Sequence, residues 1–194
     1  PIQLLATFYA AQSDYQLAAD IALPARSLNA TGNVLLTVAE SGQYARGGLV
    51  LLPDVEDVFQ FQFSIPDGWQ VTNLTDQDGT ILQRDETSRD GERRMRVKLT
   101  NSIPAGSSRE IYFVARHVPS GWLGNWESQT IQFPRFRVLG TDRQIGAIAV
   151  HVQDDLEVRP AKVTGLTALG NREKGDFGLA ELDTRMAYYF DTTD

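Results

Sequence analysis

Hydrophobic and polar residues alternate with a period of two along much of the chain, which is the pattern of half-buried β-strands. In residues 58–63, three phenylalanines fall on one face and two glutamines on the other. In residues 94–99, apolar side chains oppose Arg94, Arg96 and Lys98. Further strands are predicted over residues 15–23, 33–40, 49–52, 69–74, 81–85, 109–117, 129–133, 135–139, 144–152, 156–159 and 184–190.

The segments between these strands carry turn signals. Asp-Gly dipeptides at residues 78–79 and 90–91 predict tight hairpin turns. A motif of β-branched residue, proline, any residue and glycine occurs at residues 65–68, 103–106 and 118–121. Because proline suits the first central position of a turn and glycine its last position, we expect a turn at each copy.

These signals predict an all-β fold, an antiparallel β-sandwich of roughly a dozen strands. A single extended sandwich over residues 1–194 is favoured, and the alternative is two immunoglobulin-like units over residues 1–105 and 106–194. The segment 101–108 is short and lies between two strands, so it is interpreted as a hairpin turn. Residues 160–183 are the least strand-like and are interpreted as a short strand with a long irregular connection.

The amino-acid composition limits the kinds of active site, metal site and partner that the chain can have. The 194 residues include no cysteine and two histidines, and the formal net charge is −7. The missing thiols exclude a cysteine nucleophile, a disulfide scaffold and zinc-finger or iron–sulfur sites. The acidic balance argues against a nucleic-acid partner. No apolar run approaches the roughly 20 residues that a membrane-spanning helix needs.

The net charge is unevenly placed along the chain. Residues 1–80 hold nine acidic and two basic side chains, and the remaining residues hold equal numbers of each. The chain also begins with Pro1, and a predicted strand ends four residues before its last residue. We therefore interpret the chain as a segment excised from a longer protein.

Two tryptophans form the first candidate site. Trp122 and Trp126 stand four residues apart in a polar loop, and Glu127 follows them. Exposed indole rings stack on sugars or anchor protein partners, so the loop is a candidate polysaccharide site. The alternative is that the tryptophans fold back over one end of the sandwich. A carboxylate such as Glu127 would serve a glycosidase if a second carboxylate lay across a cleft.

A row of cations forms the second candidate site. Arg94, Arg96 and Lys98 share one face of a predicted strand, and such a row suits an acidic polysaccharide or phosphate groups. The alternative is that Asp85 and Glu86 face arginines across a hairpin as ordinary cross-strand pairs.

The third candidate is a calcium site, and the histidines add no further one. Asp54, Glu56 and Asp57 form the densest acidic cluster, and carboxylate oxygens are the ligands that Ca²⁺ prefers. The alternative is a solvated turn. His117 and His151 lie in no nucleophile-elbow sequence and are interpreted as strand-end or surface residues.

Together these observations favour a non-catalytic structural or adhesion-type module of a larger extracytoplasmic bacterial protein. Its expected partners are other domains of the same chain or cell-surface partners, polysaccharide among them. No cofactor is predicted apart from the calcium candidate. The alternatives are a carbohydrate-binding module that uses the loop tryptophans, and a domain of the glycoside hydrolase or lyase type.

Overall fold

The computed structural model describes residues 27–89, 91–122, 129–153, 156–179 and 184–193. The strand predicted over residues 15–23 lies outside them. In chain order the elements are β1 (Leu28–Ala39), β2 (Gly42–Pro53), β3 (Val58–Ile65), β4 (Gln70–Asp76), β5 (Gln83–Arg89), β6 (Glu92–Ile103), β7 (Arg109–His117), β8 (Arg143–Val152), β9 (Thr167–Ala168), α1 (Asn171–Asp176) and β10 (Met186–Thr193).

The strands form two sheets, which confirms the predicted all-β sandwich. The large sheet has the order β4-β7-β2-β1-β8-β10-β9, and the small sheet has the order β3-β6-β5. All pairs are antiparallel except β1 with β8, which run parallel. The later strands β7 and β8 pair with β2 and β1, so early and late parts of the chain share one sheet.

The core lies between the facing surfaces of the two sheets. Buried and half-buried residues alternate along the whole of β1, as a strand with one core face requires. Full burial of a large apolar side chain contributes roughly 1.5–3 kcal/mol. Buried core residues from both sheets include Leu36, Leu49, Leu51, Phe61, Phe63, Leu74, Met95, Val97, Ile111 and Phe113.

Phe113 of β7 links the two sheets. Its ring centroid lies 6.1 Å from that of Phe63 on the small sheet and 4.7 Å from that of Phe136. The ring rests on the bare backbone of Gly47 in β2, where an added Cβ would lie 2.2 Å from the ring Cε1. The absence of a side chain at Gly47 therefore makes room for the central aromatic ring of the core.

The small sheet gains an irregular edge from residues 136–139. The backbone N–H of Ser64 donates to the carbonyl of Arg137 at 2.8 Å, and that of Leu139 donates to the carbonyl of Gln62 at 2.8 Å. The strand predicted over residues 135–139 is thus a short paired segment along β3.

Gln144 of β8 holds this edge segment in place from inside the core. It is 3% exposed, and its Oε1 accepts from the backbone N–H of Val138 at 2.9 Å while its Nε2 donates to the carbonyl of Phe136 at 3.4 Å. A buried amide costs free energy unless it is hydrogen-bonded, and both of its polar atoms are satisfied here.

Two predicted strands, over residues 129–133 and 156–159, are not strands in the structure. Their alternation has a different origin, because alternate apolar residues of each segment pack against the core without forming a ladder. These residues are Ile131, Phe133, Leu156 and Val158.

The helix α1 falls in the segment predicted to be irregular, 160–183, which also contains the short strand β9. At six residues, α1 is too short to show a helical period in its sequence. Its start is fixed by the carboxylate of Glu173, which accepts from the backbone N–H of Gly170 at 2.7 Å.

The three proline-containing turns share one geometry, displaced by one residue from the prediction. Proline is the first residue of each turn and glycine the third, where φ is 74° to 78°. Glycine tolerates this positive φ, which fixes the register of the turn. The closing hydrogen bonds run from Trp69 N to Pro66 O (3.1 Å), Ser107 N to Pro104 O (3.0 Å) and Trp122 N to Pro119 O (3.0 Å).

Two further local predictions are wrong. The segment 101–108 is not a hairpin turn, because β6 and β7 lie in different sheets. The alternation places Phe59 with Phe61 and Phe63 in the core, but the β3–β6 register shifts between Val58 and Gln60. This irregularity leaves Phe59 66% exposed.

A bidentate ion pair joins β8 to β10. The Arg143 guanidinium donates from Nε to Asp191 Oδ1 at 3.0 Å and from a terminal nitrogen to Oδ2 at 2.5 Å. The hydrogen bonds from Arg143 lower the pKa of the Asp191 carboxyl below its ordinary value. The contribution of this pair to stability therefore depends on pH.

Two adjacent glycines of β2 give a matched test of the core. We expect Gly47→Ala to destabilise the fold by about 1–3 kcal/mol, because the new Cβ displaces the Phe113 ring. In Gly48→Ala the new Cβ points to the other face of the sheet and would lie 3.5 Å from Tyr112. This substitution should therefore be neutral or stabilise the fold by about 0.5–1 kcal/mol. Urea unfolding of both variants checks this, and equal losses would contradict it.

The Arg143–Asp191 pair predicts a sign for the dependence of stability on pH. Because the pKa of Asp191 is lowered in the folded chain, its stabilising contribution is complete above the ordinary carboxyl pKa and is lost as the pH falls through the lowered value. Asp191→Asn should therefore lower the free energy of unfolding at neutral pH but not in strong acid. Urea titrations across the acid range measure the difference, and Arg143→Gln should reproduce it.

Candidate functional site

The tryptophan loop is only partly described. Trp122 is half-buried and packs against the main core, and its indole N–H donates to the carbonyl of Ala39 at 3.1 Å. This residue thus folds back over the end of β1, as the alternative reading of the sequence expects. Trp126 and Glu127 lie outside the described residues.

The three cations lie on the outward face of β6. Arg94, Arg96 and Lys98 alternate with Met95 and Val97, which are buried in the core. These three side chains therefore share the outward face of the strand, as the sequence pattern predicts. Arg96 and Lys98 are exposed, whereas Arg94 is half-buried and pairs with Glu92 at 2.7 Å.

The predicted hairpin of β5 and β6 is present, with one difference in its charge pairs. Asp85 lies directly across from Arg96, as expected. Glu86 lies across from Met95 and instead pairs with Arg93. Arg93 also donates to the backbone carbonyl of Trp69 at 2.8 Å, so this ion pair ties the small sheet to the turn before β4.

The acidic cluster divides among separate partners. Asp54 accepts from Ser27 Oγ at 2.8 Å and from Asn29 Nδ2 at 2.7 Å. Asp57 accepts from the backbone N–H of Ala105 at 3.1 Å, and Glu56 is exposed. Within the described ranges, no three histidine, cysteine or acidic side chains are grouped so that they could hold a metal ion. The calcium candidate has no converging ligand set in this part of the chain.

A cleft of about 380 Å³ surrounds His117, with Trp69, Pro119 and residues 129–134 among its walls. The imidazole stacks on the Trp69 ring at 5.5 Å between centroids. Its Nδ1 lies 2.9 Å from the Gly68 carbonyl, which only accepts, so Nδ1 carries the proton. From the end of β7, His117 thus binds the turn at residues 66–69, as a strand-end histidine can. His151 is half-buried on β8, across from Thr37.

One half of the outer face of the large sheet is covered. Leu169, Phe177 and Leu179, from the segment around α1, pack over three small residues of β8 and β10: Ala147, Ala149 and Ala187. Asn33 Nδ2 of β1 donates to the carbonyl of Phe177 at 3.2 Å and fastens this cover.

On the other half of the same face, the described residues supply no such cover. Its apolar members are Leu52 and Tyr112, which are 37% and 44% exposed, and Val50 and Val114, which are half-buried. The register places Val50 diagonally across from Tyr112, because Val50 pairs with Glu110 and Gly48 with Tyr112. Leu52 and Val114 continue this row at its two ends. We call these four residues the open half-face.

A short polar contact lies on the open half-face. The Tyr112 hydroxyl donates to the Glu110 carboxylate. This hydrogen bond is the main cause that raises the pKa of Tyr112, and burial and the carboxylate charge raise it further.

The sequence does contain a signal for this face. Residues 49–52 are apolar at every position, which is typical of a strand covered on both sides. Leu49 and Leu51 are buried in the core, and Val50 and Leu52 point the other way. Sequence reasoning predicts the strand from this run but misses the second face.

Comparisons with known proteins agree on fold alone. No family model and no curated protein matches the chain. A variant of the M1 zinc metallopeptidase from Deinococcus radiodurans aligns with a TM-score of 0.51 at 14% identity, over 85% of this chain and 39% of that one. A second structure of that metallopeptidase gives a TM-score of 0.50 at 14% identity, over 86% and 39%. Native yeast LTA4 hydrolase gives 0.48 at 11% identity, over 86% and 26%.

The chain thus spans about two fifths of the length of the metallopeptidase whose fold it shares. A shared fold at this identity does not carry over an activity. In the part of the chain that the structure describes, no helix has the length and apolar character to cross a membrane.

The Tyr112–Glu110 contact can be tested by titration. We expect Glu110→Gln to lower the pKa of Tyr112 toward its ordinary value, because the amide carries no charge and is a weaker acceptor. NMR titration of ring-labelled tyrosines measures this shift in the variant against the unaltered chain. An unchanged Tyr112 pKa would contradict the contact.

Proposed function

We propose that this chain is a non-catalytic β-sandwich module of a larger protein and that it acts by docking against a neighbouring domain of that protein. The observation that carries the proposal is the open half-face of the large sheet. The extracytoplasmic setting, the adhesion role and the cell-surface partners predicted from the sequence are part of this proposal.

Contact between domains accounts for the composition of this face. A solvated sheet face normally carries polar residues, which produces a regular alternation along each strand. Here Val50 and Leu52 interrupt that alternation, and Tyr112 and Val114 lie on the adjacent strand. Apolar and aromatic side chains with a polar rim are typical of protein interfaces.

The covered half of the sheet supports the same reading. Leu169, Phe177 and Leu179 cover the half formed by β1, β8 and β10. On the half that the described residues leave uncovered, a neighbouring domain would supply the same kind of layer. In the M1 zinc metallopeptidase the same fold occurs within a longer polypeptide, so we propose a catalytic domain of that type as the neighbour.

The chain's own chemistry supports a non-catalytic role. The sequence has two histidines, neither followed by glutamate, so it lacks the H-E-x-x-H pattern that binds catalytic zinc in many metallopeptidases. Across the described ranges no group of three metal-ligating side chains occurs. The interaction surface is thus the better supported source of function.

Introducing positive charge on the open half-face tests the docking proposal. In the complete gene product, we expect Leu52→Lys with Tyr112→Lys to uncouple this module from its neighbour, so that one thermal transition becomes two. The isolated chain with the same changes should remain folded and unfold in a single transition, because both side chains already reach solvent.

The control is Gln60→Lys with Thr87→Lys on the small sheet, which should leave the coupling intact. If the complete gene product with Leu52→Lys and Tyr112→Lys still unfolds in a single unchanged transition, the docking proposal is overturned. The isolated chain should also turn over no peptide or glycoside with zinc or calcium added, and metal-dependent turnover would contradict the non-catalytic role.

A further inference from the structure

The outward face of the small sheet is a regular grid of polar side chains. The registers of β3 and β5 against β6 place nine residues in three rows of three. The rows are Gln60, Lys98 and Gln83; Gln62, Arg96 and Asp85; and Ser64, Arg94 and Thr87. We call this set the basic face.

The basic face is positive in a chain whose net charge is −7. It holds three cations and one carboxylate, that of Asp85. Arg94 is paired with Glu92, which lies at the start of β6. Among the described residues, Arg96 and Lys98 form no ion pair, even though Asp85 lies across from Arg96. Two cationic groups are therefore available to an outside anion.

The chemistry of the face is unlike that of a protein-docking surface. None of the nine residues is apolar or aromatic, whereas protein interfaces have an apolar centre. Six of the nine are exposed, and Gln62, Ser64 and Arg94 are half-buried. Amides and hydroxyls flank the cation column on both sides.

We propose that the basic face binds an acidic polysaccharide that lies along β6. Alternate residues of a strand are about 7 Å apart, so the cations form a straight row that suits an extended polyanion. The flanking groups, Gln60, Gln62 and Gln83 among them, offer both donors and acceptors to sugar hydroxyls. An acidic peptide offers these amides only its backbone N–H and C=O groups, whereas every residue of an acidic polysaccharide carries several hydroxyls beside its charge.

Three polymers test the ligand class. The intact 194-residue chain is titrated calorimetrically with polygalacturonate, with neutral dextran and with polyglutamate at low and moderate salt. We expect binding to polygalacturonate, none to dextran, and at least tenfold weaker binding to polyglutamate. Equal affinity for polyglutamate would show a general electrostatic or peptide surface and overturn the proposal, as would failure of polygalacturonate to bind.

Charge reversal tests the location. Arg96→Glu with Lys98→Glu should weaken polygalacturonate binding at least tenfold. The matched control, Lys162→Glu with Arg172→Glu, makes the same change in net charge at exposed positions outside the basic face and should bind as the unaltered chain does. Equal losses in both pairs would place the effect in the overall charge and refute the site.

A charge-neutral pair tests the amides. Gln60→Ala with Gln62→Ala should weaken polygalacturonate binding several-fold and leave any weak polyglutamate binding unchanged. No effect on either polymer would overturn the role of the amides. Unfolding midpoints confirm that each variant is folded. The basic face and the open half-face lie on different sheets, so the failure of one proposal leaves the other standing.

Discussion

The packing of the Phe113 ring on the bare backbone of Gly47 links the two sheets through the core. The ring occupies space that any side chain at position 47 would fill, and from there it reaches Phe63 on the small sheet and Phe136 on the edge segment. Interiors pack at nearly crystalline density, so a ring displaced here would move both partners. The basic face on the far side of the small sheet depends on this arrangement.

Local pattern predicts the strands well where one face is buried. The bounds of β7 agree with the pattern over residues 109–117, and the hairpin of β5 and β6 follows from a turn and two short alternating arms. The pattern does not show whether an alternating segment pairs with another strand, because pairing depends on residues that are distant in the sequence. Extended segments that pack on the core, such as residues 129–133, alternate as strands do without pairing.

The two proposed surfaces, the basic face and the open half-face, can likewise be predicted from the sequence only in part. The row of Arg94, Arg96 and Lys98 could be predicted, because period two places alternate residues on one face. Its flanking amides from β3 could not, because the pairing of Gln62 with Arg96 joins residues far apart in sequence. The open half-face has a local signal in residues 49–52, but its companion Tyr112 arrives through the pairing of β2 with β7.

The parallel pairing of β1 with β8 also bears on how the chain folds. Asn33 and its neighbour Ala147 are 114 residues apart, and closing such a loop precedes any gain from the contact. During synthesis, β1 and β2 emerge on the order of ten seconds before β8. Until β8 emerges, the edge of β1 that it will occupy lacks this partner strand, and an unpaired strand edge is prone to mispairing while the chain is being made.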